Sequence, residues 1–398
     1  MMLRLKKGEE RRIRQGHPWV YSNEINTKIT PLNTLKAGDQ VIIEAHDKTV
    51  LGAALVNPHS LITARLFSYD PNETCDLSFF IRKIKEALFF RERLFDAPYY
   101  RLIFSESDGI PGLVIDRFLH DLVVQCNTYG MEKRIDLIAS AIKQVLPHTH
   151  SILLRNDSSI RKYENLECYV KPLYGKPSDE ILVNENGLTF YAPIITGQKT
   201  GWFYDHRLNR ARLKSYIKHQ SVLDVFSYLG GFAIVAAVFG AKRVDCIESS
   251  RVACDFITKN ARHNNIEDKI HLICQDAFDA MKELLKSNQR YGLIILDPPA
   301  FVKKQKDRKE GIIAYLRLNE LALKLLEPDG ILITCSCSMH ISMEDLTTII
   351  QRAANHAQCV VQIIERGHQG QDHPIHPALP ETDYLKTIFV RKIGEQTR

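Results

Sequence analysis

The chain has 398 residues, too many for one ordinary core, and the usual scaling of domain size suggests two or three domains. Hydrophobic residues at 44% and charged residues at 25% exclude a disordered or fibrous class. The net charge of +6 is mild but gathers into two runs, Arg4, Lys6, Lys7, Arg11, Arg12 and Arg14 and then Lys303, Lys304, Lys306, Arg308 and Lys309. Such runs suit phosphate-backbone contact, although either one alone reads equally well as a solvated face.

Met1 to Arg14 lacks the apolar stretch of a secretory signal, which points to a cytoplasmic protein. Residues 1–72 alternate short apolar runs, Gln40–Glu44, Leu51–Val56 and Ile62–Phe67, with turns at Lys36-Ala37-Gly38-Asp39 and Asn57-Pro58, and spell a β-rich module. A helix is predicted over Asp76–Phe95, with Phe79, Phe80, Ile84, Ala87 and Leu88 inward and Arg82, Lys83, Lys85, Arg91 and Arg93 outward. It opens an α+β domain over 73–192. There Gly112–Phe118 pairs with Leu122–Cys126, a helix covers Lys133–Val145, Ile152–Arg155 is a strand, and Asn186-Gly187 turns a hairpin over Ile181–Tyr191. Residues 193–398 form a third domain.

From Ser221 the chain alternates strand and helix. Strands are predicted at Val222–Phe226, Arg243–Ile247, Ile270–Cys274, Leu293–Asp297 and Gly330–Cys335. The fold class that follows is α/β: a doubly wound, Rossmann-like parallel sheet binding ligands beyond its carboxyl strand ends. Val360–Glu365 and Leu385–Val390 are expected to add an antiparallel pair at one edge. The apolar run Val222–Ala241 contains Asp224 and Gly230-Gly231, so it reads as strand and helix rather than a membrane span. Nine scattered cysteines support neither a zinc site nor a disulfide framework, and no metal is expected.

The chemistry concentrates at strand ends. After the first strand, Phe226, Ser227, Tyr228 and Gly230 form a nucleotide-type loop unlike the dinucleotide fingerprint. Glu248, with Ser249 beside it, closes the second strand where a carboxylate can take both ribose hydroxyls. Asp276-Ala277-Phe278 follows the third, with acceptor and ring for an adenine. One acidic strand end commonly only caps a helix; three in succession point to a nucleoside cofactor. Asp297-Pro298-Pro299-Ala300-Phe301 is a rigid acidic turn suited to a planar base. Cys337 falls just past the fifth strand, where a thiol can be exposed, whereas Cys335 is expected inside it. Ahead of the sheet, Lys199, Phe203 and Asp205 are candidates for the cofactor, and Gln198 and Arg207 for the substrate.

These motifs resemble those of the bacterial large-subunit ribosomal RNA cytosine-5 methyltransferases of the RlmI type. The likeness spans essentially the whole chain: Gly16-His17-Pro18-Trp19-Val20-Tyr21, Ser107 to Asp116, Thr196 to Arg210, Asp224 to Phe232, Asp297 to Phe301, Ser336-Cys337-Ser338, Asp372-His373-Pro374 and Tyr384-Leu385-Lys386. It implies an N-terminal PUA domain, a class I methyltransferase domain, S-adenosylmethionine as cofactor and ribosomal RNA as partner. It also implies a cofactor loop at Phe226–Gly231, ribose contact by Glu248, adenine contact by Asp276 and Phe278, and Cys337 as nucleophile. Glu248 departs from the expected aspartate, and Leu229 from a smaller or polar residue.

On that reading Cys337 adds to carbon 6 of a cytosine, Asp297 holds the ring edge, and Glu381 or Asp383 accepts the carbon-5 proton. Methylation of an RNA nitrogen, needing no cysteine, and an RNA-binding assembly factor are the rival readings. The sequence leaves a homodimer open.

Overall fold

Short apolar runs cut by turns build a five-stranded sheet at the amino end of the computed structural model, which describes residues 1–395. Its strands are β1 (Met2–Arg4), β2 (Trp19–Tyr21), β3 (Gln40–Glu44), β4 (Val50–Val56) and β5 (Ile62–Ser68), ordered β1-β3-β4-β5-β2, with helix α1 (Glu10–Arg14) between the first two. Leu3, Ile13, Val20, Val41, Ile43 and Ala64 are part of its core. The sequence reading missed β1 and β2 because three residues are too few to display alternation.

Helix α2 (Leu77–Leu94) begins at Asp76, whose carboxylate accepts from the backbone N–H groups of Ser78 and Phe79. Phe79, Phe80, Ile84 and Ala87 are buried as expected, but so is Arg91, which was expected outward. Its guanidinium makes two 2.7 Å bonds to the Asp108 carboxylate and a third to the carbonyl of Asp372. That pairing is what lets a cation sit there.

A second sheet, ordered β10-β9-β8-β7-β6, contains β6 (Tyr99–Phe104), β7 (Leu113–Phe118), β8 (Asp121–Cys126), β9 (Ser151–Asn156) and β10 (Tyr169–Tyr174). The expected helix is present as α4 (Ile135–Val145), preceded by a short α3 (Tyr129–Glu132). Glu164, buried, accepts from Asn57, Ser60, Arg65 and the Tyr129 N–H, which ties the two sheets together. Met1–Ile181, Pro193–Tyr204 and Gln371–Thr382 make up one compact unit.

The second unit takes Leu182–Ala192, Asp205–Gly370 and the chain from Asp383 onward. It holds most of the hairpin β11 (Glu180–Glu185) and β12 (Leu188–Pro193), then α5 (Arg207–Arg212), β13 (Ser221–Val225), α6 (Gly231–Val238), β14 (Arg243–Ile247), α7 (Arg251–His263), β15 (Ile270–Ile273) and α8 (Ala277–Lys286). There follow β16 (Tyr291–Leu296), α9 (Arg308–Leu325), β17 (Leu326–Ser336), α10 (Met343–His356), β18 (Cys359–Gly367) and β19 (Lys386–Glu395). The sheet runs β15-β14-β13-β16-β17-β19-β18, its first five strands parallel. The late strands are antiparallel as expected, with β19 inserted between β17 and the edge strand β18. Strand order reverses between β13 and β16, so a ligand crevice opens at their carboxyl ends. The apolar run Val222–Ala241 divides into β13 and α6, and no helix of the described residues is long and apolar enough to cross a membrane.

Candidate active site

Asp224, wholly buried near the end of β13, accepts at Oδ2 from the Ala233 N–H in the first turn of α6, 3.1 Å away. Its Oδ1 has no hydrogen-bond partner. Burial first, then the Asp297 and Glu248 carboxylates, push its pKa up to about 7. The loop that follows is left-handed at Phe226, Tyr228 and Gly230, with φ of 66°, 49° and 80°. For the two aromatic residues this costs roughly 1–3 kcal/mol each. Hydrogen bonds hold it: Phe226 and Ser227 donate to the Ile247 carbonyl, and the Ser227 hydroxyl donates to the Asp224 carbonyl. A side chain at Gly230 would begin 3.3 Å from Ile257.

Glu248, at the end of β14, accepts from the Tyr228 N–H at 3.0 Å and the Ser250 N–H at 2.8 Å, one on each oxygen. It therefore shapes the loop while each oxygen keeps acceptor capacity. Asp276 caps α8 with Oδ1, accepting from the Phe278 and Asp279 N–H groups, and Oδ2 takes no part in the cap. Ser249 is exposed and Ala277 buried. Phe278 and Phe226 each lie 6.4 Å from the ring of Phe301, which packs 4.8 Å from Tyr315.

Asp297 follows β16 directly and sits 3.1 Å from Nε2 of the buried His206. Burial alone would lower that imidazole's pKa; the Asp297 carboxylate, with help from Asp205, outweighs it, and the net shift is upward. Pro298 is buried and Pro299 exposed. The Asp205 carboxylate accepts from the Tyr384 hydroxyl at 2.5 Å. Arg207 and Arg210, both buried, face Glu185, which binds Arg210 through both oxygens. Cys335 is buried, 3.4 Å from the Thr387 hydroxyl, and its sulphur converges with His206 and Asp297 within 4.8 Å. Burial and then the Asp297 charge push its pKa well up, which keeps it a thiol.

Cys337 lies just beyond β17 and is half-buried. Its neighbours Ser336 and Ser338 bond to the hydroxyl of Tyr315 at 2.9 and 3.0 Å, and the Ser338 hydroxyl accepts from the Val302 N–H. The Cys337 loop and the Asp297–Phe301 turn are thus tied together. Gln198, Lys199 and Phe203 belong to the first unit, where the Lys199 ammonium lies 4.6 Å from the Phe203 ring centroid. Glu381 belongs to the first unit and Asp383 to the second.

Residues 3–69 match a PUA-like domain, and residues 158–390, more than half of the chain, match an S-adenosylmethionine-dependent methyltransferase. The chain is 36% identical over 396 residues to ribosomal RNA large subunit methyltransferase I of Shewanella frigidimarina, covering 98% of each. It is 35% identical over 394 residues to the protein of that name from Aliivibrio fischeri, again covering 98% of each. The chain belongs to the ribosomal RNA large subunit methyltransferase I family.

Solved structures agree on the fold. A candidate methyltransferase complexed with SAH superposes with a TM-score of 0.85 at 20% identity, over 98% of this chain and 100% of that one. A candidate SAM-dependent methyltransferase from Streptococcus mutans gives 0.84 at 20% identity, with the same coverage. The PUA-like domain and the class I sheet expected from sequence are both present. The residues of the crevice fit S-adenosylmethionine: an unpartnered buried carboxylate oxygen on Asp224 calls for a cationic amino group. Acceptors on Glu248 and Asp276 suit a nucleoside.

The sequence reading overlooked His206, Tyr315 and Asp224 as members of the site. His206 stood between two named candidates, Asp205 and Arg207, and an imidazole there was the available signal. Tyr315 is 21 and 23 residues from the serines it binds, so nothing local announced it.

Proposed function

We propose that this S-adenosylmethionine-dependent methyltransferase makes 5-methylcytosine in large-subunit ribosomal RNA, with Cys337 as covalent nucleophile. The observation that supports it is the tie between the Cys337 loop and the acidic Asp297–Phe301 turn, made by the Ser338 hydroxyl with the Val302 N–H and the Tyr315 hydroxyl. The names of its relatives support the RNA.

Residues Phe226 to Gly230 would wrap the cofactor, Glu248 the ribose, Asp276 and Phe278 the adenine, and Asp224 the amino-acid end. The bound cofactor supplies an electrophilic methyl carbon. Carbon 5 of cytosine is a weak nucleophile; the Cys337 thiolate forms a sulphur bond to carbon 6 and moves the ring's π electrons onto carbon 5. Asp297, fixed by His206, holds the ring edge, with Pro298, Pro299 and Phe301 about the base. The Asp383 carboxylate takes the carbon-5 proton, and the carbon–sulphur bond then breaks to return the thiolate. The target nucleotide must be unpaired or flipped out. The PUA-like domain and the basic runs hold the RNA, and the division at 1–72, 73–192 and 193–398 separates RNA grip from chemistry.

The test is methyl transfer to unmodified large-subunit ribosomal RNA, followed by nucleoside mass spectrometry. We expect 5-methylcytidine, lost with Cys337→Ala. Retained transfer in that variant, or a nitrogen-methylated product, selects the nitrogen reading instead.

A further inference from the structure

Two buried lysines of the second unit, Lys386 and Lys392, have no ion-pair partner among the described residues, and Lys386 is the one beside the Cys337 loop. Lys386 opens β19, opposite Ser336 of β17, and is 6% exposed. Its ammonium donates to the carbonyls of Ser338 and Tyr384, each at 2.8 Å. No carboxylate of the described residues comes within 4.0 Å of it. Two carbonyls use two of three N–H donors but do not neutralise the charge, and buried lysines are seldom left so. One of those carbonyls belongs to the residue next to Cys337.

Burial lowers the pKa of the ammonium; the group that most opposes this is the Cys337 sulphur, followed by Asp383 ahead of β19 and Asp345 on α10. Tyr315 on α9 and Cys335 in β17 also feel the Cys337 charge. Burial pushes Tyr315 up to about 12 and Cys335 well above its usual value, so neither is charged near neutrality.

We propose that Lys386 is a positioning residue for Cys337, anchoring the loop through the Ser338 carbonyl and serving as counter-ion to the thiolate. The reaction is an ionisation, in which the S–H bond gives its electron pair to sulphur and its proton to solvent. Burial of the ammonium strengthens the attraction, because less water screens it. The inference rests on Cys337 being the nucleophile, but its test does not use methyl transfer.

Iodoacetamide alkylation is followed across pH at the Cys337 peptide by mass spectrometry, with exposed Cys168 as internal reference. We expect the wild-type Cys337 midpoint to lie below that of Cys168. Lys386→Met should raise it by about one unit or more, which at neutral pH is about a tenfold slower reaction. Lys386→Arg should stay close to wild type. A wild-type midpoint no lower than that of Cys168, or a Cys337 that resists alkylation, overturns the proposal, and both readings stand even if Lys386→Met does not fold. Equal midpoints in wild type and folded Lys386→Met overturn it too. If Cys337→Ala keeps methyl transfer while the wild-type midpoint is low, the covalent reading fails and the Lys386 pairing stands.

Discussion

Asp224 carries the largest electrostatic liability of the crevice, and its sign can be worked out. An unfolded carboxyl titrates near ~3.9, whereas this one titrates at about 7. Between those values the unfolded chain gives up its proton and the native state keeps it, so the contribution to stability falls as pH rises and stays low above the upper value. Asp224→Asn removes the burden. Thermal melts at pH 5 and pH 8 should show the variant gaining on the wild type at the higher pH, by up to about 2.5 kcal/mol. Calorimetry should show weaker S-adenosylmethionine binding; a pH-independent difference would mean that the carboxyl is not isolated. His206 has the opposite temper. Its raised pKa means that its bond to Asp297 stabilises below the ordinary histidine value and fades as pH climbs through the folded one, so His206→Gln should cost most in acid. Gly230→Ala must adopt φ near 80° and press on Ile257, and should cost about 1–2 kcal/mol with loss of cofactor affinity.

At the scale of elements, the hydroxyl of Tyr315 is the pin between α9 and the end of β17. Tyr315→Phe keeps the ring against Phe301 but leaves buried serine hydroxyls short of a partner, at a cost of about 1–3 kcal/mol. A lower kcat at unchanged KM is the expected readout, because the thiol loop rather than the binding surface loosens. Arg91→Leu, far along the chain, should be worse for stability: it strands the Asp108 carboxylate in α2's neighbourhood, a loss of about 3–5 kcal/mol by denaturant melt. Elements with long β-branched runs could be read from sequence, and β13 to β16 came out close to their observed limits, while β17 begins four residues before the expected Gly330. The short strands β1 and β2 could not, and the exposed-looking Arg91 misled because its partners are 17 and 281 residues away. The same reason hid Tyr315. Cys337 was legible since its place depends only on where β17 ends.

For the whole molecule, the fold class and the cofactor could be read because they reside in the alternation of strands and the residues at their ends. How many compact units there are could not, since three separated stretches make up each one. The clustered basic residues make RNA affinity an ionic-strength measurement: log Kd should rise linearly with log salt, and neutralising Lys303, Lys304 and Lys306 together should flatten that slope. An unchanged slope would assign those lysines to solvent. Between β18 and β19 the chain leaves the second unit to add Gln371–Thr382 to the first. Translation therefore delivers the bulk of the amino-terminal unit early but withholds its last piece. The Asp372 contacts to Arg91 and the Arg101 backbone must wait until that late residue has been read, so no single protease cut or gene truncation yields that half in finished form.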